Sequence, residues 1–88
     1  MFVVIVYDVP SKKDPKVLKI LRRYCFRIQN SVFEGELTTA QLKKLKQELT
    51  DLQLQEEDCS ILIYSTLTSK SIKKEAVYGK SEINVILG

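Results

Sequence analysis

The alternation of strand-like and helix-like segments restricts the fold of this chain more than any other feature. Phe2 to Tyr7 reads FVVIVY, a continuous apolar run that predicts a central strand buried on both faces. The strand ends soon afterwards, because Asp8 favours a turn and Pro10 cannot donate to a strand ladder. The chain therefore begins with a strand that needs neighbours in a sheet and cover on both sides.

Two later segments have apolar residues at helical spacing. The first is predicted to begin at Asp14, as an N-cap before a proline, and to end near Phe26. The second covers roughly 38 to 52, where Thr38 and Gln41 have the spacing of a capping box and leucines follow at intervals of three and four. Both helices are amphipathic, so each is predicted to pack one face on a sheet.

The remaining segments indicate strands. Arg27 to Gln29 and Val32 to Leu37 predict two short strands separated by a turn, and Cys59 to Ser65 predicts another buried strand. Ile72 to Tyr78 fits either a short strand or a helical turn, and Glu82 to Leu87 reads as a last strand. The order of elements is thus strand, helix, strand, strand, helix, strand, followed by extra strand material.

This order predicts an α+β fold, a ferredoxin-like split βαβ sandwich with an extra C-terminal strand. Right-handed crossovers would put both helices on one face of the sheet. Since there is no third long helix to cover the other face, we predict a homodimer packed sheet against sheet. The 88 residues form one domain, with a core at 1–65 and a C-terminal extension at 66–88 that packs on the partner protomer.

Composition excludes several kinds of site. The chain has 14 Lys and Arg residues against 11 Asp and Glu, a mild excess that permits a nucleic-acid partner without requiring one. It has no His, so the usual general base and the usual transition-metal ligand are absent. Cys25 and Cys59 lie among apolar residues, which favours two buried reduced thiols, although a disulfide stays open. No stretch reads as a signal or a membrane span, which predicts a cytoplasmic protein.

Two groups of residues are candidates for function. Asp8, at the carboxyl end of the first strand, could hold Mg²⁺, and two copies facing each other across a two-fold axis would hold it better. The simpler interpretation is a turn residue. A stripe of cations on the outer side of the first helix could follow a phosphate backbone, with a solvated helix face as the simpler alternative. The stripe consists of Lys16, Lys19, Arg22, Arg23 and Arg27.

A dimer interface is the third predicted feature. Phe33 lies in a strand, where it could pack in the core or against a partner, and we assign it to the interface. Ile83 and Val85, on the predicted last strand, are assigned there as well, since an added strand can join the edge of a partner's sheet.

Two stretches are distinctive when taken together. They are VIVYDVP, from Val4 to Pro10, and KVLKILRRYCFRIQNSVFEG, from Lys16 to Gly35. They resemble the second of the two core CRISPR adaptation proteins, CRISPR-associated protein two, in which a strand ending in Tyr-Asp precedes a basic helix and an R-V-Q-x-S-V-F-E-like segment. The family often has Gly where this chain has Cys25, and Gly permits an unusual backbone angle there.

The resemblance implies a function. The family's dimer bridges two dimers of the CRISPR integrase, CRISPR-associated protein one, and helps to hold the incoming DNA duplex during spacer insertion. Members are also assigned metal-dependent endonuclease activity on RNA or DNA, which implies that Asp8 is the catalytic residue and the Mg²⁺ ligand. We prefer the adaptor and keep the endonuclease as the alternative. A small ribonuclease toxin or a regulatory ferredoxin-like module is a third hypothesis, outside the family.

Overall fold

The structure is a computed structural model that describes residues 1–55, 57–68 and 71–79. Its strands and helices are β1 (Phe2–Asp8), α1 (Asp14–Tyr24), β2 (Phe26–Gln29), β3 (Val32–Glu36), α2 (Thr39–Asp51), β4 (Ser60–Thr68) and β5 (Ser71–Tyr78). The strands form one sheet in the order β2-β3-β1-β4-β5, and all neighbouring strands are antiparallel. The first four strands and the two helices have the ferredoxin-like order, which confirms the predicted fold.

The helix ends follow from local hydrogen bonding. The capping box of α2 is present, because the Thr38 N–H donates to Gln41 Oε1 at 2.8 Å and the Gln41 N–H donates to Thr38 Oγ1 at 3.1 Å. Helix α1 begins one residue earlier than predicted, with Lys13 as the N-cap and Asp14 in the first turn. It ends at Tyr24, because Cys25 is extended (φ −137°, ψ 169°). Any residue can adopt that conformation, so Cys25 fits without strain at the position where the family that the sequence resembles often has glycine.

Both helices pack on the same face of the sheet, as predicted. Every second residue of β1 is buried on that face, and leucines from both helices cover it. The largest fully buried side chains are Phe33, Ile5, Leu21, Leu45, Leu49, Ile61, Ile63, Val3 and Val17. Among the described residues, the core therefore lies between the helices and one side of the sheet.

The C-terminal part of the sheet differs from the prediction. Strand β4 continues to Thr68, and β5 pairs with it in the same chain, so the segment left open between strand and helical turn is a strand. Lys46 of α2 forms an ion pair with Glu75 of β5 at 3.0 Å, which fixes the edge strand to the helix layer. The chain's own sheet thus extends beyond residue 65. The predicted strand from Glu82 to Leu87 lies outside the described residues.

Among the described residues, neither helix has the length and apolar character needed to cross a bilayer.

Candidate nucleic-acid interface

The sheet face opposite the helices carries mostly apolar side chains, and no described residue covers it. We call this surface the open face. Two of its large side chains are highly exposed to solvent, Phe26 (79%) and Ile72 (48%). Strand register gives its described members as Phe2, Val4, Val6, Asp8, Phe26, Gln29, Val32, Glu34, Glu36, Ser60, Leu62, Tyr64, Thr66, Ile72, Lys74 and Ala76. A contiguous apolar surface of this kind is typical of a binding interface.

Asp8 lies at one end of the open face. It is the last residue of β1, is exposed, and stands opposite Ser60 of β4. Since side chains alternate along a strand, Asp8 points to the same side as Val4 and Val6. No group of three or more His, Cys, Asp or Glu side chains within the described ranges is close enough to hold a metal ion. One protomer therefore offers Mg²⁺ a single suitable carboxylate here, and a second copy would have to complete the ligand set.

Hydrogen bonds fix the backbone around Asp8. Tyr7 points into the core, where burial and then the Asp14 carboxylate raise the pKa of its hydroxyl, and the hydroxyl donates to the Asn30 carbonyl at 3.5 Å. The Tyr7 N–H donates to the Ser31 carbonyl at 3.0 Å, which ties the turn between β2 and β3 to the end of β1. Sequence reasoning missed this network, because no local pattern connects Asp14 to a strand seven residues away.

Two cations of the predicted stripe, Arg22 and Arg27, lie on the helix side of the sheet and act on the Tyr7 hydroxyl. Arg27 Nη2 donates to the Asn30 carbonyl at 2.9 Å, so the guanidinium is held over the turn between β2 and β3. The charges of Arg27 and Arg22 both act on the Tyr7 hydroxyl and partly offset the rise in its pKa. The structure therefore places Arg22 and Arg27 near the Tyr7 hydroxyl, on the side of the sheet opposite to the Asp8 side chain.

The other three cations of the stripe differ in whether they form ion pairs. Lys16 and Lys19 are exposed and form no ion pair with any described residue. Arg23, by contrast, forms an ion pair with Glu48 of α2 and lies 5.7 Å from the centre of the Tyr24 ring. The Tyr24 hydroxyl donates to the other oxygen of Glu48. Arg23 is thus engaged in joining the two helices, while Lys16, Lys19 and Arg22 are exposed to solvent.

This contact between the helices predicts a pH dependence. The hydrogen bonds from Tyr24 and then Arg23 hold the pKa of Glu48 below its ordinary value of 4.5. A carboxyl with a lowered pKa in the folded state stabilises the fold above that value, and the stabilisation is lost as the pH falls through the folded-state pKa. We therefore expect Glu48→Gln to lower the melting temperature at pH 7, and this loss to become smaller as the pH falls below 4.5 and through the folded-state pKa, as measured by circular dichroism. A loss that stays the same as the pH is lowered would contradict the prediction.

The assignment of Phe33 to the dimer interface is wrong. Phe33 is fully buried inside its own chain, opposite Ile5 in the sheet and with its ring centre 6.1 Å from that of Tyr7. The residues of β3 on the open face are its neighbours Val32 and Glu34, because adjacent strand residues point to opposite faces. The other two predicted interface residues, Ile83 and Val85, lie outside the described residues.

Both cysteines are buried free thiols, which confirms the interpretation that the sequence favoured. Cys25 and Cys59 are both buried and free of a disulfide. Burial raises the pKa of the Cys25 thiol to about 11, so it stays protonated near neutral pH.

A family model and individual relatives all show that this chain is similar to Cas2 proteins. The model of the family described as CRISPR associated protein Cas2 matches residues 1–75. The CRISPR-associated endoribonuclease Cas2 of Methanosarcina acetivorans is 49% identical over 70 residues, which are 80% of this chain and 79% of that protein. The protein of the same name from Thermotoga maritima is 42% identical over 77 residues, 88% of this chain and 87% of that protein.

Solved structures agree with these relatives. A crystal structure of Cas2 with 38% sequence identity covers 100% of this chain and 86% of its own, with a TM-score of 0.68. The crystal structure of Streptococcus pyogenes Cas2 at pH 6.5 has 35% identity and a TM-score of 0.67, covering 75% of this chain and 86% of its own.

Proposed function

This chain belongs to the CRISPR associated protein Cas2 family, and from that premise we propose that it is a homodimeric adaptor of spacer acquisition. In this function it binds duplex DNA and bridges two dimers of the CRISPR integrase, CRISPR-associated protein one. The observation that chiefly supports the proposal is the set of exposed cations on α1, which continues to Arg27 in β2.

The spacing of these cations suits a phosphate backbone. From Lys16 to Arg22 the helix rises about 9 Å, a length over which one DNA strand carries two to three phosphates. Arg27 extends the same surface beyond the helix. Lys and Arg side chains bind phosphates without reading base sequence, as an adaptor for arbitrary spacers requires.

The open face supports the dimer. A domain of 88 residues buries only about 60 to 65% of the surface of its unfolded chain, and here one side of the sheet lacks cover among the described residues. A second copy would bury that surface, since two sheets can pack face to face about 10 Å apart. A two-fold dimer presents each of its surfaces twice, so it can hold two copies of the same partner. That symmetry is what bridging of two integrase dimers needs.

The relatives named endoribonucleases favour a second candidate, Mg²⁺-dependent cleavage of RNA or duplex DNA. Asp8 from each protomer would hold the ion. Once bound, Mg²⁺ supplies an activated water and neutralises charge at the reacting phosphate.

Changing Asp8 separates the two functions. Because an adaptor needs the dimer and the cations but not this carboxylate, we expect Asp8→Ala to support spacer acquisition at nearly the wild-type frequency, measured by sequencing new spacers in cells. Loss of acquisition by a variant that still dimerises and binds DNA would show that the adaptor alone is not sufficient.

Cleavage assays test the alternative with a variant of the same size. If Asp8 holds the metal, Asp8→Asn should slow Mg²⁺-dependent cleavage of RNA and of duplex DNA by on the order of 100-fold or more, because several kcal/mol of charge stabilisation would be lost. Equal rates for highly purified wild type and Asp8→Asn would remove the endonuclease hypothesis.

A further inference from the structure

The groove between helices α1 and α2 has two walls of opposite charge. It is open to solvent and has a volume of about 420 Å³. Three cations of α1 and two carboxylates of α2 line it, namely Lys16, Lys19, Arg23, Glu48 and Asp51. A water molecule takes up about 30 Å³ in the liquid, so the groove has room for a phosphate group together with several waters. It therefore has the size and the cations that a phosphate site needs, next to two acids that oppose an anion.

Helical spacing separates the cations of this groove from Arg22. Lys16, Lys19 and Arg23 follow one another at intervals of three and four, so they share one side of α1. Arg22 is turned by about 100° from Arg23 around the helix axis and lies outside the groove. Its charge acts on the Tyr7 hydroxyl instead. The exposed cations of α1 thus form two rows, one towards Tyr7 and one towards α2.

Arg23 is held in the groove by Glu48. Arg23 Nη2 donates to Glu48 Oε1, and the guanidinium lies 5.7 Å from the centre of the Tyr24 ring. The Tyr24 hydroxyl donates to Glu48 Oε2, so each oxygen of the carboxylate has a donor of its own. The Arg23 side chain is nevertheless 53% exposed, and a guanidinium has five N–H donors. Arg23 therefore has further donors for a second anion.

A phosphate in this groove would change the contacts of Glu48. Phosphate oxygens accept hydrogen bonds from a guanidinium as carboxylate oxygens do, often through two parallel bonds. If Arg23 turns to the phosphate, Glu48 keeps the hydrogen bond from Tyr24. The two anions then repel each other, and the charge of Lys44, which also acts on Glu48, reduces this repulsion only in part. Glu48 therefore opposes a phosphate both by holding Arg23 and by its own charge.

We propose that this groove binds one phosphate of the duplex-DNA backbone, and that Glu48 limits the affinity by competing with that phosphate for Arg23. This inference rests on the proposed function, because it adds a phosphate contact to the same DNA surface. Lys16 and Lys19 hold the backbone at the groove, since both are exposed and neither forms an ion pair with a described residue. A free phosphate ion has no neighbouring phosphates for these lysines, so the competition favours a continuous backbone over an isolated anion.

Removing the charge of Glu48 tests the competition. We expect Glu48→Gln to bind a labelled duplex on the order of tenfold more tightly than wild type at about 0.1 M salt, as measured by fluorescence anisotropy. In the wild type, the exchange releases a counterion from the DNA but leaves Glu48 to attract a cation from solution, so it adds little to the salt dependence. In the variant, Arg23 is free beforehand, so the slope of log affinity against log salt should steepen by about 0.9 for each protomer.

Two further variants serve as controls. Asp51→Asn removes the same charge from the same helix, but Asp51 accepts a hydrogen bond from Gln47 at 2.8 Å and forms no ion pair with a described residue. This change releases no cation, so the affinity should rise by about twofold at most, with the slope of the wild type. Adding Arg23→Gln to Glu48→Gln should remove the gain in both affinity and slope, because the released cation is then absent.

The outcomes separate this inference from a structural effect and from the proposed function. Glu48→Gln is expected to be less stable at pH 7, so tighter DNA binding by this variant would not result from damage to the fold. If circular dichroism shows that the variant is unfolded, the nitrogen-15 NMR signal of the Arg23 side chain in the wild type gives a second measurement, and it should move when duplex is added. A wild type that does not bind duplex DNA would overturn the proposed function itself. A wild type that binds DNA with an unchanged Arg23 signal, or a folded Glu48→Gln variant with the affinity and slope of the wild type, would overturn the competition alone.

Discussion

Replacing Phe33 with alanine is expected to remove most of the stability of the fold. The ring is fully buried between the sheet and the helices, and truncating a buried Phe costs about 3 to 5 kcal/mol. A domain of 88 residues has a total unfolding free energy of about 4 to 13 kcal/mol. Denaturant titration followed by circular dichroism should therefore show a transition shifted far towards low denaturant, or no folded baseline.

Phe26 provides the matched control for that experiment. It is the same residue type, but 79% of its side chain is exposed at the edge of the open face. Phe26→Ala should change the unfolding free energy by only about 0.5 kcal/mol when both variants are compared at a protein concentration low enough to keep the chain monomeric. Similar losses in the two variants would contradict the assignment of Phe33 to the core of a single chain.

Replacing both Arg22 and Arg27 with alanine should weaken the binding of duplex DNA on the order of 100-fold at about 0.1 M salt. Each dimer would lose four phosphate contacts, so the slope of log affinity against log salt should fall by about 3 to 4. Fluorescence anisotropy with labelled duplexes of unrelated sequence would measure both quantities. The loss should be the same for every duplex, since phosphate contacts carry no sequence information.

The control for DNA binding removes the same charge from the other helix. Lys43 and Lys44 are exposed on α2, and their double alanine variant has the same net charge as the arginine variant. If the cations of α1 form the DNA surface, the α2 variant should lose much less affinity. Equal losses would mean that net charge alone governs binding, and the assignment of the surface to α1 would be wrong.

The relation between Arg22 and Arg23 shows why the DNA surface could be predicted only in part. The helical spacing of α1 places both on its outer side, and both are exposed. Arg23, however, is bound by Glu48, which is 25 residues away in the sequence. A local sequence pattern cannot connect residues that are so far apart along the chain. The sequence could therefore indicate a stripe of cations, but it could not show which of them is already paired with a carboxylate.

The sequence by itself determined the order of strands and helices, the capping box of α2, the amphipathic faces of both helices and the position of Asp8 at the end of a strand. Each of these depends on periodicity or hydrogen bonding within a few residues. The tertiary structure alone decided that Phe33 lies in the core, that β5 pairs with β4, and that Glu48 lies beside Arg23. These features depend on strand register and on contacts between distant segments, and a change of one residue in register moves a side chain to the opposite face.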